Sequence, residues 1–214
     1  MSSSSRSNQP LASVGWEPRC YRSAAHDTWS FGNHPGARAL ADDYGWQAER
    51  TLLQMTRRAG QPGLTQPTLE PGVVIRTYQE GDEAAFLQVN AAAFAQHPEQ
   101  GALTADGLHE RLSSPGLGPE GFFVAEIDGS LAGFHWTKLH PDGRGEVYVI
   151  GVTPAAQGRG LGNTLMARGL EHLAQSTRGA DVLLYVEADN EPAVALYSKL
   201  GFEITQRDVQ YTRR

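Results

Sequence analysis

From Val73 onward, apolar positions fall into short runs separated by turn residues, and their period switches between strand-like and helix-like. Val73 to Tyr78 reads as a strand. Asp82 is placed to cap a helix reaching about Ala95, with Phe86, Leu87, Val89, Ala93 and Phe94 on its apolar side. Thr104 is placed to cap a shorter helix carrying Leu108 and Leu112. Phe122 to Ile127 and Leu131 to Lys138 read as strands joined by an Asp128-Gly129 hairpin signal. After the turn residues Pro141 to Gly145, Glu146 to Val152 forms an apolar run suited to a central strand. Leu161, Leu165, Gly169 and Leu173 recur every four residues, which predicts a helix from Leu161 to Thr177. Val182 to Val186 is a buried strand. Asn190 caps a helix with Pro192 in its first turn, Gly201 stops it, and a hairpin from Phe202 to about Tyr211 is expected to end the chain. The predicted class is a mixed α/β (α+β) domain over residues 73–214.

The front of the chain reads differently. Residues 1–26 are rich in Ser, Asn, Pro and Gly and poor in apolar side chains, so disorder is expected there. Residues 59–72 carry three prolines and three glycines, the composition of a linker. Between them, Asn33 to Trp46 echoes Asn190 to Phe202: an Asn cap, a Pro, a helix, a Gly stop, then an aromatic residue opening a strand. Two similarly capped helices can arise by chance, but the coincidence of cap, stop and aromatic favours duplication. On that reading residues 27–58 are the remnant of another copy. They would have to dock on the complete domain, because the segment alone makes no sheet.

Charge and cysteine narrow the function. Eighteen Lys and Arg against 24 Asp and Glu leave a net charge of −6, which argues against nucleic acid as a partner. A single cysteine, Cys20, excludes an internal disulfide framework and fits a reducing, cytoplasmic setting. No apolar run has membrane-spanning length, and no secretory signal opens the chain. His97, His135 and His140 fall at no metal-binding spacing, so no metal is expected; His135, inside a strand, reads as structural. Glu187-Ala-Asp189 reads as a solvated or capping cluster.

The chemistry centres on Gln157-Gly158-Arg159-Gly160-Leu161-Gly162, set between a strand and a helix. Glycines there let the backbone turn tightly and approach a ligand. The amides opening the next helix favour phosphate oxygens, and Arg159 adds positive charge. The pattern lacks the Gly-Lys-Ser/Thr of a Walker loop and the dinucleotide spacing. Standing alone it is also compatible with a plain turn.

Gln/Arg-x-x-Gly-x-Gly/Ala after a strand is the pyrophosphate loop of the GCN5-related N-acetyltransferases (GNAT), and this chain resembles that family over residues 73–214. The run Asn190, Ala193, Tyr197, Leu200, Gly201, Phe202 resembles the family's later motif. Longer runs are similar to the mycothiol synthase branch, which consists of tandem acetyltransferase domains: Ala92 to Gln100, Gly133 to Lys138, Gly145 to Val152 and Leu183 to Asn190. By that resemblance most of the first domain is missing from this sequence.

The resemblance implies a GNAT fold, acetyl-coenzyme A as co-substrate, and acetylation of the cysteinyl amine of cysteinyl-glucosaminyl-inositol. It implies Glu146 as base and Tyr197 as the acid that protonates the thiolate. Ile150, Gly151, Val152, the Gln157 to Gly162 loop, Asn190 and Ala193 are implied as cofactor contacts, with the Val152 amide donating to the thioester oxygen. Glu99, Lys138, Glu146 and Tyr185 are implied as acceptor contacts, and the chain is expected to act as a monomer. Each residue keeps a plain alternative: Glu146 a solvated strand-end carboxylate, Tyr197 a core aromatic, Lys138 and Glu99 surface charges. Other amines as acceptors, or a non-catalytic coenzyme A-binding role, remain as competing functions.

Overall fold

A computed structural model describes residues 27–65 and 68–213, so residues 1–26 and Cys20 lie outside the described residues. The elements run in chain order as β1 Asp27–Ser30, α1 Pro35–Asp43, β2 Gln47–Arg57, β3 Val73–Thr77, α2 Glu83–Ala93, α3 Pro98–Gly101 and α4 Ala105–Leu112. They continue as β4 Phe122–Ile127, β5 Ser130–Leu139, β6 Gly145–Val152, α5 Leu161–Ser176, β7 Val182–Glu187, α6 Glu191–Lys199 and β8 Phe202–Thr212. One eight-stranded sheet takes them in the order β1-β8-β2-β7-β6-β5-β4-β3. Among the described residues, no helix is long and apolar enough to cross a membrane.

Two cores cover the two faces. α5 and α6 pack Leu161, Leu165, Leu173, Ala193 and Tyr197 against Leu53, Met55, Val147, Leu184 and Val186. On the other face α2 and α4 close an aromatic cluster in which Phe122 stacks on Trp136 at 4.3 Å and on Tyr78 at 4.5 Å. All eight residues of β6 are buried, as the apolar run from Glu146 to Val152 requires of a central strand.

Several caps follow the sequence. Thr104 accepts the Gly107 N–H at 3.2 Å and Asn190 accepts the Ala193 N–H at 3.2 Å. Asp82 does not cap α2 with its side chain. Instead its carboxylate takes the Gln79 N–H at 2.8 Å and the Arg76 guanidinium at 2.6 Å, a charge-assisted bond that outcompetes a neutral one. In the N-terminal echo, His34 rather than Asn33 caps α1, its Nδ1 accepting the Gly36 N–H at 3.1 Å. Asn33 accepts the Tyr211 hydroxyl instead.

The C-terminal hairpin expected from Phe202 to Tyr211 is one continuous strand, β8. The partner that a hairpin would have folded back comes from the front of the chain. β2 lies between β7 and β8 and is antiparallel to both. The two echoing strands therefore pair with each other, from Gln47↔Thr212 to Arg57↔Phe202. β1 takes the other side of β8. An antiparallel β2 there satisfies the amides that β8 would otherwise have met by turning on itself.

β6 and β7 are parallel, and they pair only at Gly145↔Val182 and Glu146↔Leu183. Beyond Glu146 the strands separate. The register of β6 against β5 slips between Trp136↔Val149 and Thr137↔Val147, a bulge that gives Tyr148 no partner of its own in the ladder. A bulge bends its strand and increases local twist, which carries the C-terminal half of β6 away from β7.

Candidate active site

The opening between β6 and β7 organises the site. Thr153 donates its N–H to Ala132 O at 2.8 Å, so that amide faces β5. Backbone groups alternate along a strand, so Gly151 also faces β5, while Ile150 and Val152 aim their amides into the opening. The Ile150 side chain is core, and a Cβ on Gly151 would come within 3.1 Å of Ala93, Phe94 and Phe134. Gly151 thus serves close packing against α2.

Past β6, a 3-10 turn over Pro154–Ala156 leads into the glycine loop. Gln157 folds back, its Nε2 donating to Val152 O at 3.4 Å. Gly158 and Gly160 both adopt φ +79°, a left-handed conformation that glycine takes without strain. Gly160 caps α5 with no side-chain bond to the first amides, which therefore point outward. A Cβ on Gly160 would meet nothing within 4 Å. Gly162 and Leu161 are buried in the first turn of α5. The loop fits a phosphate-bearing ligand: outward amides, a helix N-terminus and open space together. Arg159 forms an ion pair with Glu70 at 2.7 Å, so a bound phosphate would have to compete for that guanidinium.

At the other end of β6 sits Glu146, 2% exposed, on the face opposite α5 because its neighbour Val147 enters the α5 core. Its Oε2 shares a 2.7 Å hydrogen bond with His140 Nε2. Lys138 is opposite Glu146 in the β5–β6 register, 5% exposed, with Nζ 6.0 Å from the Tyr148 ring centre. Tyr185 on β7 points to the same face, since Leu184 and Val186 point to the α5 side. Its hydroxyl donates to Gln54 Oε1 at 3.2 Å. Burial, and then the nearby Glu146 charge, push its phenol up to about 12.

The structure thus gathers Glu146, Lys138 and Tyr185 on one face, and Ile150, Val152 and the glycine loop around the opening. Tyr197 is fully buried in the core, its ring edge-on to Phe202 at 6.1 Å. Asn190 and Ala193 are joined to each other by the α6 cap. Glu99 falls in α3, with its side chain outside the described residues. His135 is fully buried with Nδ1 2.8 Å from Leu165 O, a structural placement. Glu187 is no solvated cluster member: it forms a part-buried ion pair with Arg50 of β2.

Two groups of this face carry no functional expectation from the sequence. His140 enters the sequence reading only as a rejected metal ligand, yet the hairpin closed by His140 N–H to Arg144 O at 2.9 Å brings it onto Glu146. The turn Pro141 to Gly145 was the signal, because residues flanking a tight turn meet. Gln54 had no such signal, since it reaches Tyr185 only through the insertion of β2. Six residues of β6 at about 3.3 Å each put Val152 roughly 20 Å from Glu146, too far to serve one reacting centre. The open-side amide nearer to Glu146 is that of Ile150.

The chain is 51% identical over 189 residues to the mycothiol acetyltransferase of Streptomyces bingchenggensis; the match covers 86% of this chain and 61% of that protein. It therefore spans about three fifths of the length of this curated relative. Among solved structures, a GCN5-related N-acetyltransferase from Sphaerobacter thermophilus superposes with a TM-score of 0.67 at 21% identity, over 87% of this chain and 58% of the other. A tandem GNAT protein from the clavulanic acid biosynthesis pathway superposes with a TM-score of 0.66 at 19% identity, over 88% and 64%. The model of the acetyltransferase (GNAT) family matches residues 87–202, which takes in the bulged β6, the glycine loop and α6. On this family match and on the half-identical relative, the chain belongs to the acetyltransferase (GNAT) family.

Proposed function

We propose that this chain is an acetyl-coenzyme A-dependent N-acetyltransferase whose acceptor is the cysteinyl amine of cysteinyl-glucosaminyl-inositol, giving mycothiol. One observation carries the reading: β6 parts from β7 immediately after the buried Glu146, on the strand whose far end feeds the glycine loop. The relatives' printed name, mycothiol acetyltransferase, supports mycothiol as the product, and the acceptor amine is the one that the family resemblance implies.

The loop amides and Arg159 hold the pyrophosphate, with the pantetheine arm lying in the opening beside Val152. The Ile150 amide replaces Val152 as donor to the thioester oxygen, on the distance given above. Glu146 takes the ammonium proton, and the neutral amine attacks the carbonyl. Tyr197, on the inner face of α6, protonates the departing thiolate and is reprotonated by the second proton that the acylated nitrogen loses. Lys138, Tyr185 and Gln54 offer charged and hydrogen-bonding groups to a polyhydroxylated acceptor. No step assigned to these residues uses a metal. The mutual pairing of β2 and β8 supports the duplication reading of residues 27–58, with β1-α1-β2 answering to β7-α6-β8.

The test is acetyl transfer by the purified chain to cysteinyl-glucosaminyl-inositol, beside free cysteine and a panel of small amines, with products read by mass. Selective acetylation of the pseudodisaccharide supports the proposal. Turnover of another amine alone removes the acceptor assignment, and acetyl-coenzyme A binding without product removes the catalytic one.

A further inference from the structure

Amide formation from an ammonium and a thioester yields the amide, the free thiol and one proton. That proton leaves a base that is 2% exposed, so bulk water has little direct access to it. Among the described residues, charged and titratable groups reach Glu146 from three places. Lys138 approaches from β5, Tyr185 from β7, and Arg144 and His140 from the β5–β6 turn; Asp208 of β8 lies further off, facing Tyr185. Lys138 and Arg144 are cations with no lone pair to offer, and the Tyr185 phenol is already protonated at neutral pH. His140 differs from all of these. Its Nε2 is 2.7 Å from Glu146 Oε2, its side chain is 20% exposed, and an imidazole has one ring nitrogen that can accept a proton and another that can donate one. Two backbone bonds hold the turn that presents it, His140 N–H to Arg144 O and Gly143 N–H to His140 O, each 2.9 Å.

We infer that His140 is the positioning and proton-exit partner of Glu146, fixing one carboxylate oxygen and carrying the amine's proton from the buried base to solvent. This rests on the acetyltransferase reading of the site. The ammonium N–H bond breaks as an O–H bond forms on Glu146. That O–H bond breaks as the Nε2–H bond forms on neutral His140, leaving a carboxylate beside an imidazolium. Solvent water then removes a ring proton, one per turnover.

Steady-state kinetics on His140→Gln and His140→Ala test this, with whichever amine the unaltered chain acetylates. Gln keeps a hydrogen-bond donor near Glu146 but cannot accept a proton and pass it on. Both variants should lose kcat by about 10²-fold, with KM for acetyl-coenzyme A unchanged. Added imidazole should restore His140→Ala in a saturable way, which a purely structural loss would not show. An active chain whose His140→Gln variant keeps full kcat, or whose His140→Ala variant ignores imidazole, overturns the proton-exit role alone. Failure of the unaltered chain to acetylate any amine overturns the acetyltransferase reading instead, and the inference with it.

Discussion

Gly160 and Gly179 form a matched pair for testing the phosphate loop. Both adopt φ +79°, and a Cβ on either would meet nothing within 4 Å. They sit at opposite ends of α5, whose 16 residues span about 24 Å. Alanine at either position pays the same left-handed backbone cost, about 1–2 kcal/mol. For a domain of this size that lowers Tm by about 2–4 °C per kcal/mol. The ligand side separates them. At Gly160 the new methyl occupies the open space above the first amides of α5, where a phosphate oxygen must come to hydrogen-bond distance. Losing one charge-assisted hydrogen bond there costs about 1.5–3 kcal/mol, roughly 10- to 100-fold in Kd. Gly179→Ala leaves that space alone. Calorimetric titration of acetyl-coenzyme A, with thermal unfolding of each variant, should give equal Tm losses and a Kd penalty for Gly160→Ala only. Equal Kd values in the two variants would refute the loop assignment, whatever their stabilities.

Three further outcomes are expected. Glu146→Gln should lower kcat by about 10²- to 10⁴-fold while sparing the acetyl-coenzyme A Kd; equal turnover would remove Glu146 as base. Gly169→Ala should destabilise by about 1–3 kcal/mol in urea unfolding, because its Cβ would sit 2.0 Å from the ring of His135, which is fully buried and hydrogen-bonded to Leu165 O. Burial pushes His135 down to about 4, against about 6.5 in an unfolded chain, so the unfolded state binds the extra proton. Stability is therefore whole above about pH 6.5 and falls by about 3 kcal/mol as pH drops through 4, and His135→Asn should flatten that slope in pH-dependent unfolding.

The legible parts of this fold were those set by local chemistry. The apolar run of β6, the four-residue spacing in α5, and the Thr104 and Asn190 caps each depend on residues a few positions apart. The glycine loop was readable for the same reason. What escaped depended on partners far along the chain. Nothing near Phe202 says that β8 will pair with Gln47 to Arg57 rather than turn back, because an alternating strand looks the same beside either neighbour. Gln54 against Tyr185 and Arg50 against Glu187 follow from that one insertion. His34 displaced Asn33 as a cap because Asn33 was drawn into a contact with Tyr211. The Glu146–His140 pair was local and could have been read from the turn that joins them.

The placement of β2 also sets the order in which the sheet can be completed during synthesis. Among the described strands β2 is the second made, yet its neighbours, β7 and β8, are the last two. Until they arrive, Leu52, Leu53 and Met55, buried in the finished protein, have no seat. Between the synthesis of β2 and that of β7 and β8, a nascent chain therefore carries an apolar strand without its partners, a segment open to aggregation and to capture by chaperones. Completion of the sheet waits on β8, so loss of that strand would strip β1 and β2 of their common neighbour and leave β2 held by β7 alone.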